Sequence, residues 1–223
     1  MLNKAKKYYK KLFRPKKKAE YSYNPYKSYH MANRCIFIHI PKTGGTTILK
    51  TLNNGRNAIR YHTPYMDFLK YNPVLFNEFY KFSFVRNPFD KIYSAYSYLC
   101  GGGDQDTDLP LSDEINRYKD FDDFVMNGLA EGLYRSHNLF RAQSYFVTAH
   151  DEKVMVDFVG KLEQFSHDWK IVADKLKLPQ NPGFTNKSNR LNDYRKAYKK
   201  TKTIEIIDLL YKQDLKRWDY RFD

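Results

Sequence analysis

The chain has 223 residues, which is long enough for one α/β domain with a substantial core and short for two. Its formal charge is +14, but nine of the cations lie in residues 1–18, which hold no acid, so the remainder carries only +5. The longest apolar run, Cys35 to Pro41 with His39 inside it, is far below the roughly 18 residues that cross a bilayer, and two cysteines, Cys35 and Cys100, make no disulfide scaffold and are expected to stay reduced.

Residues 1–33 are read as a basic N-terminal tail or amphipathic segment. Leu2, Ala5, Tyr9 and Leu12 fall on one side of a helix and lysines fill much of the rest. Such a segment can lie on an anionic membrane surface, where each cation adds roughly 1 kcal/mol. A disordered solubilising tail accounts for the same residues. Nucleic acid is not an expected partner, because no recognisable nucleic-acid module follows.

Residues 34–223 are expected to form one domain. Ile36 to Ile40 is β-branched and of strand length; Pro41, the pair Gly44–Gly45 and the pair Thr46–Thr47 then lead into Ile48–Leu49. The pattern predicts strand, tight loop and helix. Glycine lets backbone approach a ligand closely, and the free N–H groups of a first helical turn point at it, so the loop suits an anion, with Lys42 as a point charge and hydroxyls as further donors. The guest is expected to carry phosphate. A Walker loop places Lys after its last Gly, whereas Lys42 precedes both glycines, which argues against an ordinary nucleotide triphosphatase. His39, alternating with Ile38 and Ile40, is read as a hydrogen-bonded structural residue.

The first helix should end near Asn53–Gly55. Ala58 to Tyr61 is a candidate strand that would deliver His62 to the ligand crevice at the C-terminal edge of a parallel sheet. Lys81 to Val85 is predicted as the next buried strand, with Pro88 in the first turn of the following helix. Arg86 then stands at the same edge as Lys42, and its planar fork can grip a phosphate or pair with Asp90 at i+4. Ser94 lies about two helical turns further on.

Two stretches resemble the sulfotransferase family. Pro41-Lys42-Thr43-Gly44-Gly45-Thr46-Thr47 is similar to the 5′-phosphosulfate loop of the Golgi carbohydrate sulfotransferases and their bacterial relatives. Phe82 to Tyr96, with Arg86 closing a strand and Ser94 on the next helix, is similar to their 3′-phosphate site. The resemblance runs from about Arg34 to the end and is weak over residues 100 to 150. It implies a three-layer, P-loop-like α/β domain with a mainly parallel central sheet. It also implies a donor, 3′-phosphoadenosine 5′-phosphosulfate (PAPS), that leaves as adenosine 3′,5′-bisphosphate (PAP), and an acceptor hydroxyl, on a carbohydrate. Lys42, Thr43, Gly44, Gly45, Thr46 and Thr47 would hold the phosphosulfate, and Arg86 and Ser94 the 3′-phosphate. Lys42 and His62 would be catalytic, His62 as the base that takes the acceptor proton. No metal is expected. Golgi relatives carry a signal anchor; without one, an enzyme in the cytoplasm, at the inner membrane face where its tail touches lipid, or a trimmed chain is expected.

The resemblance continues downstream. Arg141, Gln143 and Ser144 match an acceptor-facing Arg-x-Gln-Ser segment, with His137 an alternative base. Asp157 to Phe165 resembles the family's Val-Gly-Lys-Leu-Glu strand, in which Glu163 is architectural or orients a site group. Ser166 would cap a helix running to about Leu176. Lys187, Ser188 and Arg190, on a Pro/Gly-punctuated loop, resemble the segment that closes over the bisphosphate. The Cys100 to Asp108 stretch, rich in Gly and Asp, lacks an EF-hand register and is read as an acceptor-side loop or lid, or as a plain solvated loop. A short helix begins after Asp120, and Asn192 to Asp223 is read as one or two helices and an aromatic tail that packs back on the domain. Two other readings stay open: a P-loop kinase using ATP and Mg²⁺, for which no acidic metal ligand at a strand end is apparent, and a binding protein that holds nucleotide or polyanion without turnover.

Overall fold

The computed structural model describes residues 23–104, 107–183 and 193–222. Residues 1–22 of the basic segment and the candidate ligands Lys187, Ser188 and Arg190 lie outside the described residues. In chain order the elements begin with α1 (Ser28–Asn33), β1 (Cys35–Ile38), α2 (Gly45–Leu52), α3 (Tyr65–Tyr71), α4 (Pro73–Glu78) and β2 (Tyr80–Val85). There follow α5 (Pro88–Cys100), α6 (Leu109–Ile115), α7 (Phe121–Phe124), α8 (Ser144–Val147), β3 (Phe158–Lys161), α9 (Phe165–Leu176), α10 (Thr201–Leu210) and α11 (Lys212–Arg217).

The strands form a parallel sheet in the order β1-β2-β3, with Phe37 beside Phe82 and Phe84 beside Gly160. A parallel sheet is covered on both faces, which is why β1 is apolar at every position and fully buried. Its alternation then sorts the layers. Cys35 and Phe37 join Ile48, Leu49, Phe82, Phe84 and Trp169, packing one face against α2 and α9. Ile36 and Ile38 point the other way, into Tyr65, Phe68, Phe76 and Phe146 of α3, α4 and α8. This is the three-layer α/β architecture implied by the resemblance.

A third cluster stands apart from the sheet. Phe89, Ile92, Ala95 and Leu99 of α5 pack with Ile115, Phe121, Phe124, Phe140, Tyr198, Ile207 and Tyr211, an aromatic helical lobe that fills the stretch where the resemblance is weakest. Asp120 caps α7 by accepting from the Asp123 amide at 2.9 Å, and the Thr203 hydroxyl donates to the buried Asp122 carboxylate at 2.6 Å.

Three local expectations need correction. Ala58 to Tyr61 is an irregular connection, not a strand: no described strand lies beside it to accept its backbone hydrogen bonds, and Ile59 is 70% exposed. The strand predicted over Asp157 to Phe165 stops at Lys161, where a 3₁₀ turn over Leu162–Gln164 leads directly into α9. Ser166 is inside the first turn of α9, whose N-cap is Gln164; Asp168 turns back instead, and its carboxylate accepts the Lys161 amide at 2.6 Å. The other boundaries follow the sequence: α2 ends at Leu52, α9 at Leu176, and two C-terminal helices precede a tail whose Phe222 ring packs 5.0 Å from Phe89. Both cysteines are free thiols.

Candidate active site

Gly44 takes φ +80° and serves as the N-cap of α2 with no side chain to offer, so the first-turn amides of Gly45 and Thr46 face a cradle built of backbone. Two neighbours forbid larger residues here. A Cβ on Gly44 would lie 2.8 Å from the Leu162 side chain, and one on Gly45 would lie 2.0 Å from Nε2 of His39. Lys42 also adopts a left-handed backbone, φ +66°, which costs a residue with a Cβ about 1–2 kcal/mol. Two contacts hold that conformation. The Thr43 hydroxyl, fully buried, donates to the Ile40 carbonyl at 2.8 Å, and Arg86 Nη1 donates to the Lys42 carbonyl at 3.1 Å. Thr43 thus shapes the loop with its side chain and could meet a ligand only through its backbone. Thr46 is partly exposed, whereas Thr47 is buried.

β2 ends at Val85 and delivers Arg86 to the same edge. Its Nε and Nη2 donate to one Asp90 oxygen at 2.8 and 2.5 Å, so the i+4 ion pair foreseen in the sequence and the tie to the loop coexist. The backbone of Arg86 is clamped as well: its N–H donates to Gln143 Oε1 at 2.9 Å, and Gln143 Nε2 donates to its carbonyl at 2.8 Å. Gln143 is fully buried and spends both ends of its amide on this clamp, so it supports the site and cannot contact an acceptor. Glu163 ties the turn after Arg86 to the C-terminal tail. Its two oxygens accept from the Asn87 amide at 2.6 Å and the Tyr220 hydroxyl at 2.7 Å, and Asn87 in turn caps α5. Ser94 is buried on α5.

Lys91 carries no signal in the sequence yet sits fully buried behind Arg86. Its ammonium donates to the carbonyls of Leu139 and Arg141 at 2.9 and 3.1 Å. Burial lowers its pKa to about 7, with Asp214 opposing and Arg86 and Lys42 adding to the shift. Asp214 binds the amides of Gln143 and Ser144 at 2.5 and 2.9 Å. Arg141 itself is held locally, its Nε donating to the Ser136 carbonyl at 2.7 Å and its guanidinium 4.0 Å over the Tyr145 ring.

His62 reaches the end of β1 despite the missing strand. Its Nδ1 donates to the His39 carbonyl at 3.0 Å, and the two imidazole rings lie 4.4 Å apart. A carbonyl can only accept, so Nδ1 carries the proton and Nε2 holds the lone pair, the tautomer a base needs. Burial lowers the His62 pKa to about 4, the bond to His39 partly offsets this, and the Arg60 and Lys91 charges add to the lowering. The His39 ring packs against Phe37, His62 and Gly45 and is not hydrogen-bonded as expected: its Nδ1 is buried without a partner. The alternative base His137 accepts the Leu139 amide on Nδ1 at 3.3 Å and is half-buried.

One sheet edge therefore gathers Lys42, Arg86, His62 and an amide-lined helix start, with buried Lys91 behind them: a positive, backbone-lined edge suited to an anion. No group of His, Cys, Asp and Glu that could hold a metal is found among the described residues. Searches against curated proteins and solved structures found no significant match. The sequence profile of the sulfotransferase family matches residues 29–221, nearly the whole chain, and the chain belongs to the sulfotransferase family.

Proposed function

We propose that this sulfotransferase moves a sulfuryl group from 3′-phosphoadenosine 5′-phosphosulfate to a hydroxyl, with carbohydrate as the acceptor class. The observation that carries the reading is the junction of the Gly44–Gly45 loop with Arg86 through the Lys42 carbonyl, which brings first-turn amides and a guanidinium to one edge. The loop amides and Lys42 would hold the 5′-phosphosulfate. Arg86, sharing its fork with Asp90, and Ser94 would hold the 3′-phosphate.

In the reaction, Nε2 of His62 takes the proton of the acceptor hydroxyl while that oxygen forms a bond to sulfur. The bond from sulfur to the bridging phosphate oxygen breaks, and its electron pair stays on the departing bisphosphate. Lys42 and the first-turn amides of α2 meet the charge that builds there, which is where preorganised donors lower a barrier most. A His62 held neutral by burial gains basicity when an anion arrives to stabilise its charged form, so donor binding and base strength are coupled. The basic residues 1–18 extend the proposal to a cytoplasmic enzyme resting on anionic lipid, which liposome co-sedimentation of the full chain against one starting at Tyr21 tests.

Incubation with sulfur-labelled donor and a panel of saccharides, lipid-linked sugars and small alcohols tests the central reaction. Label should pass to a hydroxyl compound in the native protein and not in Lys42→Ala. Label transferred equally by both would remove Lys42 from the mechanism, and ATP-dependent phosphorylation of the same panel would replace the reaction.

A further inference from the structure

The described ends of the Gly- and Asp-rich connection after α5 reach the site through Tyr98. The Lys42 ammonium lies 3.9 Å from the centroid of the Tyr98 ring, inside the range of a cation–π contact. The Tyr98 hydroxyl donates to Asp108 Oδ2 at 2.8 Å, and the Asp104 amide donates to the same oxygen at 3.1 Å. Asp104 then pairs with Arg60 at 3.2 Å, two residues before His62. A chain of contacts thus runs from the candidate charge stabiliser to the segment that carries the candidate base.

The geometry points to Tyr98 as a positioning residue for Lys42: its ring, fixed by Asp108, holds the ammonium on the acceptor side of the loop, while Arg86 fixes the same residue's carbonyl from the donor side. This rests on the sulfuryl-transfer reading for its purpose but not for its geometry. Lysine is a compact charge on a flexible four-carbon stem, so a backbone held in the left-handed region places only its root. The aromatic face supplies a restraint on its tip and is weak enough to yield when an anion enters the cradle. Phenylalanine keeps the face and loses the tie to Asp108; leucine loses the face. Burial and the Asp108 carboxylate both push the Tyr98 phenol well above its ordinary pKa, so the hydroxyl stays a donor to Asp108 across the working range.

The test follows the lysine side-chain resonances of the full chain by NMR, with Lys42 assigned by its loss in Lys42→Arg. The ε-methylene protons of Lys42 should be shifted upfield by the ring in the native protein and in Tyr98→Phe, and should return to the ordinary lysine position in Tyr98→Leu. Adenosine 3′,5′-bisphosphate should then move the same resonance as the ammonium leaves the ring. With an acceptor that takes label, Tyr98→Leu should lower kcat about tenfold with donor KM within about twofold, and Tyr98→Phe should recover most of the loss. An unshifted Lys42 in the native protein overturns the assignment, even if Tyr98→Leu does not fold. So does native turnover in a folded Tyr98→Leu. A shifted Lys42 that ignores bisphosphate leaves the Tyr98 contact standing and contradicts the donor reading instead, which separates the two failures.

Discussion

The sheet edge and the aromatic helical lobe are built by different means. At the edge, the loop from Pro41 to Thr47 is a short-range structure: Lys42 and Gly44 in the left-handed region, Gly44 as the N-cap, and a strand apolar on both faces before it. The lobe is ordered by buried side chains that reach distant main chain, with Lys91 on the 139 and 141 carbonyls, Tyr211 on the Phe140 carbonyl and Asp214 on the Gln143 and Ser144 amides. The two meet where Gln143 clamps the backbone of Arg86. The candidate site thus has one half of local geometry and one of long-range hydrogen bonds that holds it in place.

Substitutions can separate these halves. The largest effect is expected at Lys42, where replacement by Ala should lower turnover about 10²–10³-fold with folding intact, as removal of one preorganised charge stabiliser does; steady-state label transfer checks it. Next is Gln143→Ala in the lobe, which strands the buried N–H and carbonyl of Arg86. At about 1–3 kcal/mol for each unsatisfied group it should cost several kcal/mol in chemical denaturation, and it should weaken bisphosphate binding although Gln143 touches no ligand. A stable Gln143→Ala with native affinity would uncouple lobe from edge. Gly45→Ala comes third. Its methyl meets the His39 ring, and repacking should cost about 1–3 kcal/mol in the same denaturation assay.

These contrasts also explain what the sequence showed. The loop, Arg86 and the i+4 partner Asp90 were legible because each is a short-range pattern: glycines after a strand, a cation at a strand end, a charge pair one turn apart. His62 was placed correctly for a wrong reason, since it is anchored by the His39 carbonyl and not by a strand. Lys91, Asp214 and the role of Gln143 were illegible, because their partners lie tens of residues away. Tyr98 was hidden among Tyr93 and Tyr96 on the same helix, and only the fold shows which ring lies against Lys42.

A separate effect is expected on pH dependence. Burial lowers the pKa of His30 to about 3, of His62 to about 4, and of His39 well below the ordinary value. Each is neutral in the fold and free to charge when unfolded. The unfolded chain therefore binds more protons once pH drops below about 6.5, and stability should fall from there toward the folded-state values, with no contribution above that window. Calorimetry between about pH 7 and 5, above the ordinary carboxylate range, should show a falling Tm, with a flatter slope in a folded variant lacking His30.

The most direct test of a metal-independent bisphosphate site at the Lys42–Arg86 edge is thermal stabilisation by adenosine 3′,5′-bisphosphate, set against ATP and ADP, each with and without Mg²⁺. At a hundredfold excess over Kd, one site adds about 2.7 kcal/mol, a rise in Tm of about 5–10 °C for a chain of this size. The expected result is such a rise with bisphosphate, unchanged by Mg²⁺ and lost in Arg86→Ala. Stabilisation by ATP with Mg²⁺ alone would contradict it.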